Sequence, residues 1–239
     1  AYWQKDNKNK DGYESNLKSV MDFAMQKAIF EGISEEENWN TGLIKIYENL
    51  ANDFHYNDPN SLLIFNDNHD MSRIFTQMKE NINQTKMAMS IMLVLPRIPQ
   101  VLYGTEILMQ DSANPGDHGL IRTDFPGGWN DDNQNAFTGK NLNEEQLDMQ
   151  NYLKVLLNFR KNNSAIHKGR TMHYAPSNGT YLLARMNNHE KVLIIINKNK
   201  KDIKIDTDRF YELGLKGEEL TDIHSGEKYL WSNRITIPK

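Results

Sequence analysis

The chain of 239 residues contains no cysteine. Disulfides and thiolate metal sites are therefore excluded, while the compartment stays open. An excess of basic residues is missing too: 28 Lys and Arg stand against 32 Asp and Glu, a formal net charge of -4. That balance carries no footprint for nucleic acid and no attraction to an anionic membrane surface. No apolar run approaches the roughly eighteen residues of a spanning helix, and the first residues lack the charged and apolar regions of a signal peptide. Of the histidines, His55, His118, His167, His173, His189 and His224 show no metal-ligand spacing. No residue pattern calls for a metal or a cofactor.

What is present is most concentrated in Ser61-Leu-Leu-Ile-Phe-Asn-Asp-Asn-His-Asp70. Leu62 to Phe65 read as a strand covered on both faces, and the run breaks into polar side chains capable of chemistry. Asn68, His69 and Asp70 should then emerge at the C-terminal end of a parallel strand, where open α/β sheets and α/β barrels bind ligands. Taken alone, a His-Asp pair also fits a structural histidine beside an aspartate that caps a helix over Met71 to Arg73.

The segment Phe65 to Asp70 resembles the Phe-x-x-Asn-His-Asp signature of the α-amylase superfamily, glycoside hydrolase family 13. Arg97-Ile-Pro-Gln-Val-Leu-Tyr-Gly-Thr-Glu106 looks like that family's eighth barrel strand. Asp117-His-Gly-Leu-Ile-Arg-Thr-Asp-Phe-Pro-Gly-Gly-Trp129 resembles the loop after it in the neopullulanase and cyclomaltodextrinase branch, particularly the starch-utilisation enzymes of Bacteroides-like bacteria. The resemblance implies a periplasmic or secreted protein. A (β/α)₈ barrel takes roughly 250 residues, more than this chain can give. The nucleophile's Gly-x-Arg-x-Asp pattern is absent from residues 1–60, as is the strand carrying the Glu general acid. The expected architecture is therefore an α/β partial barrel, its last three strands and helices, over residues 1–166, then an antiparallel β-sandwich over 167–239. On this reading the chain is the C-terminal part of a longer enzyme.

Local patterns fill in that frame. Residues 5–11 form a polar loop closed by Gly12, and Ser19 to Ala24 becomes the sixth barrel strand by resemblance. Trp39, Leu43, Ile46, Tyr47, Leu50 and Phe54 recur at three- and four-residue spacing, the mark of an amphipathic helix. Asn83 to Leu95 repeats that pattern until Pro96 stops it. Asn143 reads as the N-cap of a helix running to about Asn162, with Gln146 placed for a capping box, Leu147, Leu153, Leu156 and Leu157 inward and Arg160 near its end. From His167 the period becomes two, with strands at Thr180–Met186 and Lys191–Asn197 joined by an Asn187-Asn188 turn, and a further alternation over Lys201–Asp206.

Cleaving a glycoside passes through an oxocarbenium-like transition state and needs a proton donor, a second carboxylate and groups that hold sugar hydroxyls. A third carboxylate can also help. Asp70 could brace the 2- and 3-hydroxyls, His69 could donate to the same ring, and Asn68 could orient either neighbour. The resemblance assigns Asp70 as transition-state stabiliser, not nucleophile or proton donor, and His69 as a subsite contact. In the long loop Asp111 to Thr138, Arg122 with Asp117 or Asp124 could hold hydroxyls, while Trp129 and Phe125 could stack on sugars. Many relatives carry Asp-Pro with Arg four residues after the Asp; here His118 follows Asp117 and Arg122 stands five positions on. Glu106 is expected to be structural. The implied activity is retaining hydrolysis of α-1,4 bonds in maltooligosaccharides, cyclodextrins or pullulan, with this chain inactive alone. An alternative is a non-catalytic glucan-binding or assembly module. The partner is then an α-glucan oligosaccharide, with self-association through the open barrel edge.

Overall fold

The computed structural model describes residues 4–7, 12–13 and 15–239. Part of the expected polar loop, residues 8–11, lies outside the described residues. Helices are α1 (Phe23–Ser34), α2 (Ile44–Ala51), α3 (Ile74–Gln77), α4 (Ile82–Val94), α5 (His118–Ile121), α6 (Glu144–Asn162) and α7 (Ser164–Lys168). Strands are β1 (Leu63–Ile64), β2 (Ile98–Pro99), β3 (Arg170–Ser177), β4 (Thr180–Met186), β5 (Lys191–Asn197), β6 (Ile203–Asp206), β7 (Glu219–Thr221), β8 (Lys228–Leu230) and β9 (Arg234–Ile237).

Three short parallel segments build the open α/β part. β1 pairs with β2 in the register Leu63 to Ile98, and Met21 bridges Leu63 on the other side. Leu63 N donates to Val20 O at 3.0 Å and Asp22 N to Leu63 O at 2.8 Å. The expected strand Ser19–Ala24 is shorter than its apolar pattern suggests, because Asp22 accepts a hydrogen bond from Met25 N and starts α1 at Phe23. α1 had no forecast in the sequence. It buries Met25, Ala28, Ile29 and Ile33, and Gly32 lets α2 approach, since a Cβ there would lie 2.6 Å from Ile46 Cγ1.

α2 buries Ile46 and Leu50, with Leu43 just before it, but Trp39 is 93 % exposed and Phe54 also faces solvent. Gly42, at φ +80°, breaks the chain ahead of the helix and a 3₁₀ turn over Asp53–His55 follows it, so neither aromatic shares its face. α4 is buried nearly all round, with Ala88, Met89, Ile91, Met92, Leu93 and Val94 in one core. α6 carries the full capping box between Asn143 and Gln146 and buries Met149, Leu153 and Leu156, whereas Leu147 and Leu157 are exposed. Arg160 is buried against the end of α4, its guanidinium donating to the carbonyls of Leu93 and Arg97. Cations suit a helix C-terminus for this reason.

The C-terminal part is antiparallel. β3, β4 and β5 form one sheet, while β6 with β9 and β7 with β8 make two further pairs. β4 is buried along its whole length, and its alternate residues serve two cores. Tyr181 and Leu183 pack with the helices; Leu182, Ala184 and Met186 pack with Phe210, Leu213, Leu215 and Trp231 under the smaller strand pairs. The second layer of the expected sandwich is thus two short ladders rather than one continuous sheet.

Candidate active site

Leu62, Ile64 and Phe65 are buried and Leu63 half-buried, and Asn66, Asp67 and Asn68 stay buried beyond the end of β1. His69 and Asp70 then surface. Asn68 Oδ1 accepts from Asp70 N at 2.8 Å, a local turn of the kind asparagine favours, which fixes the backbone that carries Asp70. The Asp70 side chain is 62 % exposed, with one oxygen 2.8 Å from Arg122 Nη2 and the other 3.3 Å from His69 Nε2. Arg122 Nε donates to His69 O at 2.9 Å, and its Nη2 lies 3.2 Å from His118 Nδ1. Asn68, His69, Asp70 and Arg122 therefore form one cluster. An ion pair this exposed contributes less than about 1 kcal/mol to folding.

Asp70 caps no helix. α3 begins later, at Ile74, and Ile74 N donates to Asp67 Oδ2 at 2.7 Å. Burial pushes the Asp67 carboxyl up to about 6, against the opposing effects of the Ile74 N–H and the Arg73 charge. Asp67 Oδ2 also lies 3.4 Å from Thr105 Oγ1, tying the loop after β1 to the turn after β2. Glu106 lies in that turn, Thr105–Ile107, half-buried.

In the long loop, Asp117 caps α5 by accepting from Gly119 N and Leu120 N. The N–H groups of Leu120 and Gly119 hold its carboxyl below the usual range. Asp124 accepts from Trp129 Nε1 at 3.0 Å. Arg122 pairs with Asp70, while Asp117 and Asp124, expected beside it in holding hydroxyls, accept hydrogen bonds within their own loop. Trp129 is 65 % exposed on the same loop, and Phe125 meets Phe137 edge to face at 5.2 Å. Among the described residues no group of three or more His, Cys, Asp or Glu could hold a metal ion, and no helix is long and apolar enough to cross a membrane. A hollow of about 720 Å³ lies beside Trp231 and Arg234, and one of about 300 Å³ beside Arg97 and Arg160; Asp70 lines neither.

Residues 2–174 match the family described as alpha amylase, catalytic domain, and residues 171–239 match the cyclo-malto-dextrinase C-terminal domain. The chain belongs to the α-amylase family. Among curated relatives, the family member is 26 % identical over 180 residues to a cyclomaltodextrin glucanotransferase of Paenibacillus macerans, covering 75 % of this chain and 22 % of that protein. It is 27 % identical over 206 residues to alpha-amylase 3 of Dictyoglomus thermophilum, covering 79 % and 40 %. The chain thus spans between 22 % and 40 % of these relatives' lengths. Its fold resembles the crystal structure of an α-amylase from Geobacillus thermoleovorans complexed with acarbose, at TM-score 0.72 and 21 % identity, covering 93 % of this chain and 46 % of that one. An α-amylase from H. orenii matches at 0.66 and 22 %, covering 93 % and 47 %.

Proposed function

We propose that this α-amylase-family chain supplies the transition-state-stabilising part of an active site for retaining hydrolysis of α-1,4 bonds in maltooligosaccharides, cyclodextrins or pullulan. The observation that carries the reading is the exposed Asp70 carboxylate held between Arg122 and His69. An ionised carboxylate offers about four acceptor positions; the Arg122 hydrogen bond occupies one and His69 stands 3.3 Å from a second. Two are left for adjacent sugar hydroxyls. Hydrogen bonds to ring hydroxyls that tighten as positive charge develops at the anomeric carbon lower the barrier, provided the acceptor is already oriented. Arg122 orients it from one side and Asn68 from the backbone. His69 turns Nε2 to Asp70, which leaves Nδ1 for a hydroxyl.

In this proposal the nucleophile and the proton donor come from outside these residues, as does the surface that shields the reaction from water. Asp70 sits on an open face, which suits a site completed by another segment. The division into a catalytic part, 1–166, and a sandwich, 167–239, and a periplasmic or secreted location belong to the same proposal. The test is Asp70→Asn in a hydrolytically competent enzyme containing this chain. We expect kcat on maltoheptaose to fall by about 10²-fold or more with KM little changed, the pattern of a contact made in the transition state. Near-normal kcat would overturn it.

A second reading, a glucan-binding module, draws on Trp129, whose exposed indole is held by Asp124. Trp129→Ala abolishing retention on immobilised cyclodextrin while Asp70→Asn leaves it intact would favour that reading.

A further inference from the structure

We propose that Arg73 is a positioning residue that, with Tyr103, clamps the backbone on both sides of Arg122 and so delivers Arg122 to Asp70; this rests on the reading of Asp70 and Arg122 as a glucan site. The Arg73 side chain is fully buried. Its Nε and Nη2 both donate to Ile121 O, at 3.0 and 2.6 Å, and Nη1 donates to Tyr103 O. The guanidinium lies 4.9 Å from the centre of the Tyr103 ring. Tyr103 in turn sends its hydroxyl to Thr123 O at 2.9 Å. The carbonyls of residues 121 and 123 are therefore both held, and Arg122 stands between them.

Arg73 is itself fixed. Its backbone N–H donates to Asp111 Oδ1 at 3.0 Å, and Asp111 Oδ2 takes Gly116 N at 2.7 Å, fastening the start of the long loop. The turn at Tyr103 and both ends of the long loop's first part thus meet at Arg73. Among the described residues Arg73 makes no ion pair within 4.0 Å, and its guanidinium donors go to backbone carbonyls. Burying a guanidinium costs several kcal/mol, and packing alone would be served better by an apolar side chain. What the planar fork offers is two directed donors on one carbonyl and a third on another, a geometry a lysine ammonium cannot reproduce. Gly104 leaves room for it, since a Cβ there would lie 3.1 Å from Arg73 Nη1.

The experiment uses the 239-residue chain and three variants, Arg73→Lys, Arg73→Met and Tyr103→Phe, followed by amide hydrogen exchange. Because losing charge-assisted bonds frees the loop locally, exchange over residues 118–124 should rise about tenfold or more in both Arg73 variants and less in Tyr103→Phe. Residues 180–197 should not change. In a hydrolytically competent enzyme containing this chain, kcat on maltoheptaose should fall about tenfold or more in Arg73→Lys with KM little changed, but not fall further when Arg122→Gln is already present. Unchanged exchange over 118–124, an equal rise over 180–197, or additive losses of kcat would each overturn the proposal and assign Arg73 to the core. If Asp70→Asn in that enzyme keeps near-normal kcat, the glucan reading fails while the exchange result still decides the clamp.

Discussion

Asp67 Oδ2 accepts a hydrogen bond from Ile74 N at 2.7 Å from a position with almost no solvent access. Its carboxyl titrates at about 6 against an ordinary value of 3.8, so the folded chain holds that proton more tightly than the unfolded chain. The group's contribution to stability is fully present below about pH 4 and is lost as pH rises to about 6, a difference on the order of 3 kcal/mol. Asp67→Asn keeps an acceptor for Ile74 N and removes the charge. Denaturant unfolding between pH 4 and 7 should show a flatter pH dependence in the variant, with stability at pH 7 equal to or above wild type. An unchanged slope would remove Asp67 as its source.

Arg97 and Asp22 form a pair in which both side chains are fully buried, at 2.9 Å, and Arg97 also reaches Asp53 at 2.5 Å. Asp22 caps α1 as well. Arg97→Met leaves a buried carboxylate without its cation and should cost about 3–5 kcal/mol in equilibrium unfolding. A loss below about 1 kcal/mol would show that water reaches the pair.

Gly104 adopts φ +85°, and a Cβ there would stand 2.1 Å from Met109 Sδ. Gly104→Ala should cost more than the ~1–2 kcal/mol of a left-handed L-residue, because Met109 must also move. Thermal unfolding measures the loss. Stability equal to wild type would mean that the turn has shifted.

The open α/β face exposes Met21 and Phe23 at one side and Ile98, Val101 and Tyr103 at the other. Pro99 on β2 has no N–H, which blunts that edge, so association should bury side chains rather than extend the ladder. Light scattering after size exclusion at micromolar concentration should report self-association, reduced by Phe23→Glu. A wild-type monomer would contradict this.

The long elements were legible because their signals are local. The capping box of α6 needs only Asn143 and Gln146, and β4 and β5 announce themselves by composition and by the turn between them. α1 was hidden because its apolar start, Phe23 and Ala24, continues the pattern of the preceding strand, and only the Asp22 cap separates them. The cluster at Asp70 was half legible. Asn68, His69 and Asp70 are adjacent in sequence, but Arg122 joins them across 52 positions, through a loop whose course depends on the Ile121 carbonyl held by Arg73. Nothing in the sequence singles out Asp67 or Arg73, since composition does not distinguish a buried charge from a solvated one. Trp39 and Phe54 fit a helical period and yet lie outside the helix, because a glycine and a short turn bound it.

The most direct test of the central claim is reducing-end release from maltoheptaose by the 239-residue chain alone, wild type beside Asp70→Asn. A chain that contributes the stabilising carboxylate but neither nucleophile nor proton donor has no covalent route to the product. Both proteins should release reducing ends no faster than buffer. Turnover by the wild type that disappears in Asp70→Asn would contradict the account and make Asp70 a direct participant in bond cleavage.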